Sequence, residues 1–194
     1  MSKQVEVDNE LHAEDTAGYK VTEKKTLAEY TQLDAEDESL KKWKESLGIS
    51  SDSISDPNDK RRVVVLEMRV DVDGQEPIVI DLEKPGALEA LKQNPIIIRE
   101  KSKYQRKLKF RVQHEIITGL KYLQSVKRAG IRVDKSQEVC GSYPPNTKDK
   151  PYYEKVFAEE EAPSGLLSRG QYHATSKFVD DDNITHLEFA WLFE

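Results

Sequence analysis

The stretch VVVLEMRVDV at residues 63–72 decides the fold class, together with the Asp73-Gly74 pair and the stretch PIVIDLE at residues 77–83 that follow it. Apolar and polar residues alternate through most of both stretches. This period of two is typical of a β-strand with one buried face. Asp-Gly between two such segments is a strong signal for a tight hairpin turn. The sequence therefore predicts two antiparallel strands that cover a hydrophobic core.

The same alternation recurs further along the chain, at 107–112, 172–178 and 187–193. Clusters of turn-forming residues separate the apolar segments, at 129–130, 141–146, 162–165 and 180–183. A short helical connection at 87–92 leads to three consecutive isoleucines at 96–98. Many short alternating strands broken by turns are typical of two packed sheets. The predicted fold class is all-β, an immunoglobulin-like antiparallel β-sandwich preceded by a flexible arm with two short helices.

Residues 1–56 differ in composition from the rest of the chain. They hold 14 acidic and 7 basic residues, so essentially all of the net negative charge lies there. A capping box at Thr26–Glu29 and apolar residues at Leu40, Trp43 and Leu47 predict two short helices. Both are shorter than the roughly 12–15 residues that an isolated helix needs in water.

We interpret residues 1–56 as an acidic arm that is disordered alone, and residues 57–194 as the sandwich domain. The apolar faces of the arm's two helices need a surface to pack on. That surface belongs either to the chain's own domain or to a partner protein. The strong charge of the arm favours a partner, on which it would form a helix-loop-helix.

Composition and motifs argue against several classes of function. The net charge of −6 argues against a general nucleic-acid binder. The single cysteine, Cys140, allows no internal disulfide, which is compatible with a cytoplasmic location. No apolar run approaches the ~18 residues of a membrane-spanning helix. The sequence has no P-loop, nucleophile elbow or metal-ligand spacing, so we expect no enzyme activity, cofactor or metal.

An acidic run at residues 180–183, Asp-Asp-Asp-Asn, suggests an alternative function. Carboxylates between two strands of a sandwich bind calcium in C2 domains. The alternative function is therefore a calcium-dependent membrane-binding module of C2 type. Asx-turn chemistry explains the same run without a metal. Cys140 is interpreted as a small packing residue rather than as a catalytic thiol.

Several ordered pieces of the chain resemble Rho GDP-dissociation inhibitors. They are LDAEDESLKK at 33–42, FRV at 110–112, GLKY at 119–122, GSY at 141–143, EEAP at 160–163, RG at 169–170, FVDDD at 178–182 and HL at 186–187. The resemblance implies a non-catalytic cytoplasmic carrier that binds prenylated GTPases of the Rho, Rac and Cdc42 types, preferably with GDP bound and one to one. The arm would clamp the GTPase switch regions, and the sandwich would hold the geranylgeranyl or farnesyl chain between its sheets.

The resemblance also implies roles for particular residues. Those expected to meet the GTPase switch regions are Tyr19, Asp37, Ser39 and Trp43. Those expected to line the prenyl slot are Met68, Val70, Ile96, Tyr104, Leu108, Phe110, Ile116, Leu167, Phe178 and Trp191. The basic segment before the lipid is expected to meet Asp134, Glu160 and Glu161. Arg106 lies on the predicted inner face, and it departs from the resemblance because relatives commonly have an aliphatic residue there. Periodicity alone fits both a filled core and a lined slot.

Overall fold

The computed structural model describes residues 11–14, 38–39, 53–166 and 168–194. Glu38 and Ser39 are helical, and they lie in the segment for which the sequence predicts the second helix of the arm. The first predicted helix and the remainder of the second lie outside the described residues. The sandwich is described almost completely.

Eight strands and one short helix make up the sandwich. In chain order they are β1 (Val63–Val72), β2 (Ile78–Asp81), α1 (Ala87–Leu91), β3 (Lys103–Val112), β4 (Ile117–Arg128), β5 (Ile131–Tyr143), β6 (Tyr153–Glu161), β7 (Tyr172–Val179) and β8 (Thr185–Phe193). The strands form two sheets with the orders β2-β1-β3-β6 and β5-β4-β7-β8. Every neighbouring pair is antiparallel. The predicted all-β antiparallel sandwich is confirmed.

The hairpin predicted at Asp73-Gly74 is also confirmed. β1 and β2 pair with Val70 opposite Ile78, and Gly74 has a φ of 71°, which a side chain would disfavour. The turn predicted at 141–146 is wrong in its first part. β5 continues to Tyr143 because Gly141 stays paired with Leu120 through an irregularity in the ladder.

The three isoleucines at 96–98 run beside the end of β8. Ile96 forms a parallel bridge with Phe193, and its amide donates to the Leu192 carbonyl at 2.8 Å. The amide of Glu194 donates back to the Ile96 carbonyl at 3.1 Å. This segment therefore covers the open edge of the second sheet. It also brings apolar side chains to one end of the sandwich.

The core lies between the two sheets and is rich in aromatic side chains. Phe110 and Phe178 are completely buried, and Tyr122 is nearly so. The Phe110 ring meets the Tyr143 ring edge-on, with 5.1 Å between centroids, and the Tyr122 and Phe178 centroids are 5.3 Å apart. Such edge-to-face pairs add about 0.5–1.5 kcal/mol each beyond the burial of their area.

The segment 11–14 covers part of the outer face of the second sheet. Leu11 is buried against Leu123 and Val179. The carbonyl of Glu14 accepts a hydrogen bond from Lys121 Nζ at 2.8 Å. The outer face of β4 is consequently buried as well as its inner face.

Lys121 also binds the acidic turn between β7 and β8. Its Nζ lies 3.0 Å from Asp181 Oδ1, and both side chains are more than nine-tenths buried. Gly119 makes room for this pair, because a Cβ there would lie 1.8 Å from the Asp181 carboxylate. Its φ of 54° also favours glycine. The start of β4 is thus shaped around one buried ion pair.

Candidate functional site

Most residues predicted to line a prenyl slot form a closely packed core. Seven of them are buried within one hydrophobic cluster, namely Met68, Val70, Ile96, Leu108, Phe110, Phe178 and Trp191. Tyr104 is half-buried and packs against that cluster. Ile116 is half-buried, whereas its neighbour Ile117 lies within the cluster. In this structure the space between the sheets is filled by side chains rather than open as a slot.

An open cavity of about 420 Å³ lies at one end of the sandwich. Its volume falls in the range of about 300–1,000 Å³ that is usual for small-molecule sites. The residues that line it come from the isoleucine segment, from β3, from the loop after β6 and from the facing ends of β7 and β8. They are Ile97, Ile98, Glu100, Tyr104, Ala162, Pro163, Ser168, Arg169, Gly170, Tyr172, Phe193 and Glu194.

The cavity continues directly into the core. Tyr172 and Phe193 stack with 4.9 Å between ring centroids, and Phe193 lies 5.2 Å from the Trp191 ring. Trp191 is the next inward-facing residue of β8, two positions before Phe193. The apolar wall of the cavity therefore leads towards residues of the predicted slot.

A β-bulge in β6 brings an acidic side chain to this end of the sandwich. Gln105 pairs with Glu159, but Lys107 pairs with Val156, so β6 has an extra residue opposite Arg106. The extra residue reverses the alternation along the rest of the strand. Glu160 turns inward as a result, while Glu159 and Glu161 stay exposed.

Glu160 binds two inward-facing residues of β3. Its Oε2 accepts a hydrogen bond from the Tyr104 hydroxyl at 2.5 Å, and its Oε1 accepts one from Arg106 Nη2 at 2.5 Å. Burial raises the pKa of Tyr104, and the nearby carboxylates of Glu160 and Asp134 raise it further. Two of the three carboxylates predicted to dock a basic tail, Glu160 and Asp134, thus lie near Tyr104, and the third, Glu161, lies on the outer side of β6.

Arg106 itself is a buried cation. Its side chain is only 5% exposed, and Nη1 donates to the Tyr122 hydroxyl at 3.2 Å and to Gln124 Oε1. Burial alone would lower the pKa of the guanidinium, but the oxygens of Tyr122 and Glu160 outweigh it, so the pKa of Arg106 is raised. The side chain remains charged, and its guanidinium has hydrogen-bond partners on both sheets.

A second ion pair crosses the mouth of the cavity. Arg169 Nη2 lies 2.8 Å from Glu100 Oε1, and Glu100 Oε2 accepts the Gly165 amide at 3.1 Å. The guanidinium of Arg169 and that amide lower the pKa of the Glu100 carboxyl. The loop after β6 is therefore held to the segment before β3, with the cavity beneath it.

The carboxylates of Asp180 and Asp181 in the acidic turn bind other groups of the protein. Asp180 Oδ1 accepts the amides of Asp182 and Ile184, Asp180 Oδ2 is 2.9 Å from His186 Nε2, and Asp181 binds Lys121. This is the Asx-turn arrangement. Within the described residues, no group of three or more His, Cys, Asp or Glu side chains is placed to hold a metal ion. The calcium-binding interpretation is not supported.

Cys140 packs against the core as a small residue. Burial raises the pKa of its thiol to about 11, so the thiol is neutral at pH 7 and a poor nucleophile. In the part of the chain that the structure describes, no helix is long and apolar enough to span a membrane.

The predicted contacts with the GTPase switch regions lie almost wholly outside the described residues. Tyr19, Asp37 and Trp43 are outside them, and so is Leu167 of the predicted slot. Ser39 is described, and it is helical and exposed.

Sequence reasoning missed most of the residues that line the cavity. Tyr172 and Phe193 carried a usable signal, because they continue the inward faces that also contain Phe178 and Trp191. Ala162 and Pro163 follow the acidic cluster, but no pattern in the sequence shows that they close a cavity.

The chain is similar throughout to known regulatory proteins. A family model described as RHO protein GDP dissociation inhibitor matches residues 3–194. The Rho GDP-dissociation inhibitor of Saccharomyces cerevisiae is 53% identical over 176 residues, which cover 89% of this chain and 87% of the relative. That of Schizosaccharomyces pombe is 46% identical over 172 residues, covering 89% and 82%.

More distant relatives show the same match. Rho GDP-dissociation inhibitor 1 of Homo sapiens is 37% identical over 188 residues, which cover 97% of this chain and 89% of the human protein. The family model and these relatives together span both the arm and the sandwich. The chain belongs to the Rho GDP-dissociation inhibitor family.

Proposed function

We propose that the chain binds prenylated Rho-family GTPases in their GDP-bound state, slows the dissociation of GDP and extracts the GTPases from membranes. Membership of the family supports the first two parts of this proposal. It also makes the chain a regulatory protein and not an enzyme. The complex would contain one copy of each protein and would form in the cytoplasm. The arm, residues 1–56, would act on the nucleotide, and the sandwich, residues 57–194, would act on the lipid.

The observation that best supports the lipid part is the apolar cavity that opens beside inward-facing Glu160 and leads to Trp191. A prenyl chain gains about 0.8 kcal/mol per buried CH₂ in a membrane, so a carrier must offer comparable apolar burial. The cavity would receive the first part of the chain. The remainder would have to displace packed side chains of the core.

Acidic groups near the cavity would attract the basic segment that precedes the lipid. Glu160 is already bound to Arg106 and Tyr104, which neutralises part of its charge. Glu161 and Asp134 are more exposed. We therefore expect these two to contribute more than Glu160 to the capture of a basic tail.

Filling the cavity tests the lipid part of the proposal. Liposomes that carry prenylated, GDP-loaded GTPase are mixed with the chain, and the GTPase in the soluble fraction is measured. We expect Ala162→Phe to reduce release at least about tenfold, because Ala162 lines the cavity and a benzyl group there would occupy the lipid's place. Ala158→Phe is the matched control, since Ala158 is exposed on β6, the strand that ends just before Ala162. Failure of the wild-type chain to release any prenylated GTPase would overturn this part.

Removing one carboxylate of the arm tests the nucleotide part. The rate at which a fluorescent GDP analogue leaves the GTPase is measured without membranes, at increasing concentrations of the full chain. We expect Asp37→Ala to raise the half-inhibiting concentration about tenfold or more, because a charge-assisted hydrogen bond contributes about 1.5–3 kcal/mol. Glu36→Ala removes the same charge one residue earlier. Equal effects of the two variants would show that the arm contributes only its net charge.

A further inference from the structure

Arg106 places a charge in the interior immediately beneath the open cavity. Tyr104 lines the cavity, and Arg106 is the next inward-facing residue of β3. It lies opposite Val70 of β1, which is completely buried. A hydrocarbon chain that filled the cavity and continued between the sheets along β3 would meet Arg106 directly after Tyr104.

The guanidinium is the centre of a hydrogen-bonded layer that crosses the whole sandwich. On one side it binds Glu160 of β6, and on the other it binds Tyr122 and Gln124 of β4. The Tyr122 hydroxyl continues to Ser176 at 2.7 Å, and Ser176 Oγ accepts from Trp191 Nε1 at 2.9 Å. The layer thus links β3 and β6 of one sheet to β4, β7 and β8 of the other.

The aromatic rings around Arg106 strengthen the same layer. Its guanidinium carbon lies 5.2 Å from the centroid of Phe157 and 5.8 Å from that of Tyr122. Both distances fall within the range of about 6 Å for cation–π attraction. The charged group is therefore held between two rings and three hydrogen-bonding partners, and it cannot move aside without losing several contacts.

The layer separates two apolar regions of the protein. The cavity is above it, and the packed side chains of Met68, Leu108 and Phe110 are below it. To pass the layer, a hydrocarbon chain would have to separate buried polar groups from their partners. An unsatisfied buried group is costly, and a charged one is more so. The depth at which hydrocarbon can be bound favourably therefore ends near Arg106.

Resting on the proposed function, we propose that Arg106 determines lipid specificity by limiting the depth of the prenyl slot. The chain would favour a farnesyl group over a geranylgeranyl group, which is longer by one isoprene unit. The additional unit would gain little in this protein, because it would lie against a charged, hydrogen-bonded layer instead of an apolar wall.

The test compares two lipids that differ only in length. The full chain is titrated with the S-farnesyl and the S-geranylgeranyl methyl esters of cysteine, and binding is followed by tryptophan fluorescence. The quantity compared between variants is the Kd for the farnesyl ester divided by the Kd for the geranylgeranyl ester, which should be below one for the wild type. Since each buried CH₂ favours binding, we expect Arg106→Leu to raise this ratio at least about tenfold. Arg106→Lys retains the charge and should leave the ratio close to that of the wild type.

The outcomes separate this inference from the function on which it rests. An unchanged ratio in Arg106→Leu, with both lipids bound, would overturn the inference alone. An equal increase in Arg106→Lys would overturn the assignment to the buried charge. No binding of either lipid by the folded wild-type chain would overturn the lipid part of the proposed function as well. Cooperative thermal unfolding checks each fold, and Arg106→Met, which has an unbranched side chain, replaces Arg106→Leu if that variant does not fold.

Discussion

We expect Asp181→Ala to lower the free energy of unfolding by about 3 kcal/mol, because it leaves the ammonium group of Lys121 buried without its carboxylate. The two groups are 3.0 Å apart, and the side chains are 4% and 8% exposed. Removing one partner of such a pair typically costs about 3–5 kcal/mol. The expected loss lies at the lower end because the Glu14 carbonyl would still accept from Lys121. Urea denaturation measures it as a shift of the midpoint at constant slope.

An exposed pair provides the matched control for this variant. Glu159 lies 2.7 Å from Lys103, but both side chains are more than half exposed. Glu159→Ala removes the same charge and should cost less than about 1 kcal/mol, since exposed ion pairs contribute little. The double variant Lys121→Met/Asp181→Leu removes both charges and should recover most of the lost stability. Equal losses in the two single variants would contradict the burial that the structure assigns to Lys121.

The predictable strands are those with one buried face. β1, β3, β7 and β8 alternate regularly because their outer sides meet solvent. β4 does not, since segment 11–14 also buries Leu123 on its outer face, and polar Gln124 points into the core. With apolar and polar residues on both faces, the period of two disappears. The sequence pattern therefore did not predict β4, because a segment distant in the chain packs on its outer face.

The candidate site was predictable in composition but not in shape. The apolar residues assigned to a slot do lie between the sheets, yet they fill that space. The inward turn of Glu160 depends on a bulge in β6, and a bulge leaves no mark in the alternation of such a charged strand. The sequence predicted that Arg106 faces inward, but not that Glu160, Tyr122 and Gln124 would satisfy it.

Substitutions of Phe110 distinguish a tightly packed core from a slot that side chains fill loosely. It is completely buried, and its ring lies within 5.1 Å of the Tyr143 ring and 6.5 Å of the Phe178 ring, centroid to centroid. We expect Phe110→Ala to lower the free energy of unfolding by about 3–5 kcal/mol, as is usual for a large aromatic residue in a packed core. Phe110→Leu leaves a much smaller void and should cost less than about 2 kcal/mol.

Substitution of Tyr104 should lower the free energy of unfolding much less than Phe110→Ala does. It lines the open cavity and is only half-buried, so Tyr104→Phe removes only its hydrogen bond to the Glu160 carboxylate. The expected cost is about 1.5 kcal/mol, the lower end for a hydrogen bond to a charged group, because Arg106 still binds Glu160. Urea denaturation of the three variants at one pH makes the comparison. A loss below about 1 kcal/mol for Phe110→Ala would mean that the interior collapses easily around a missing ring. In that case the space between the sheets would be a slot that side chains fill only loosely, and hydrocarbon could enter it at little cost.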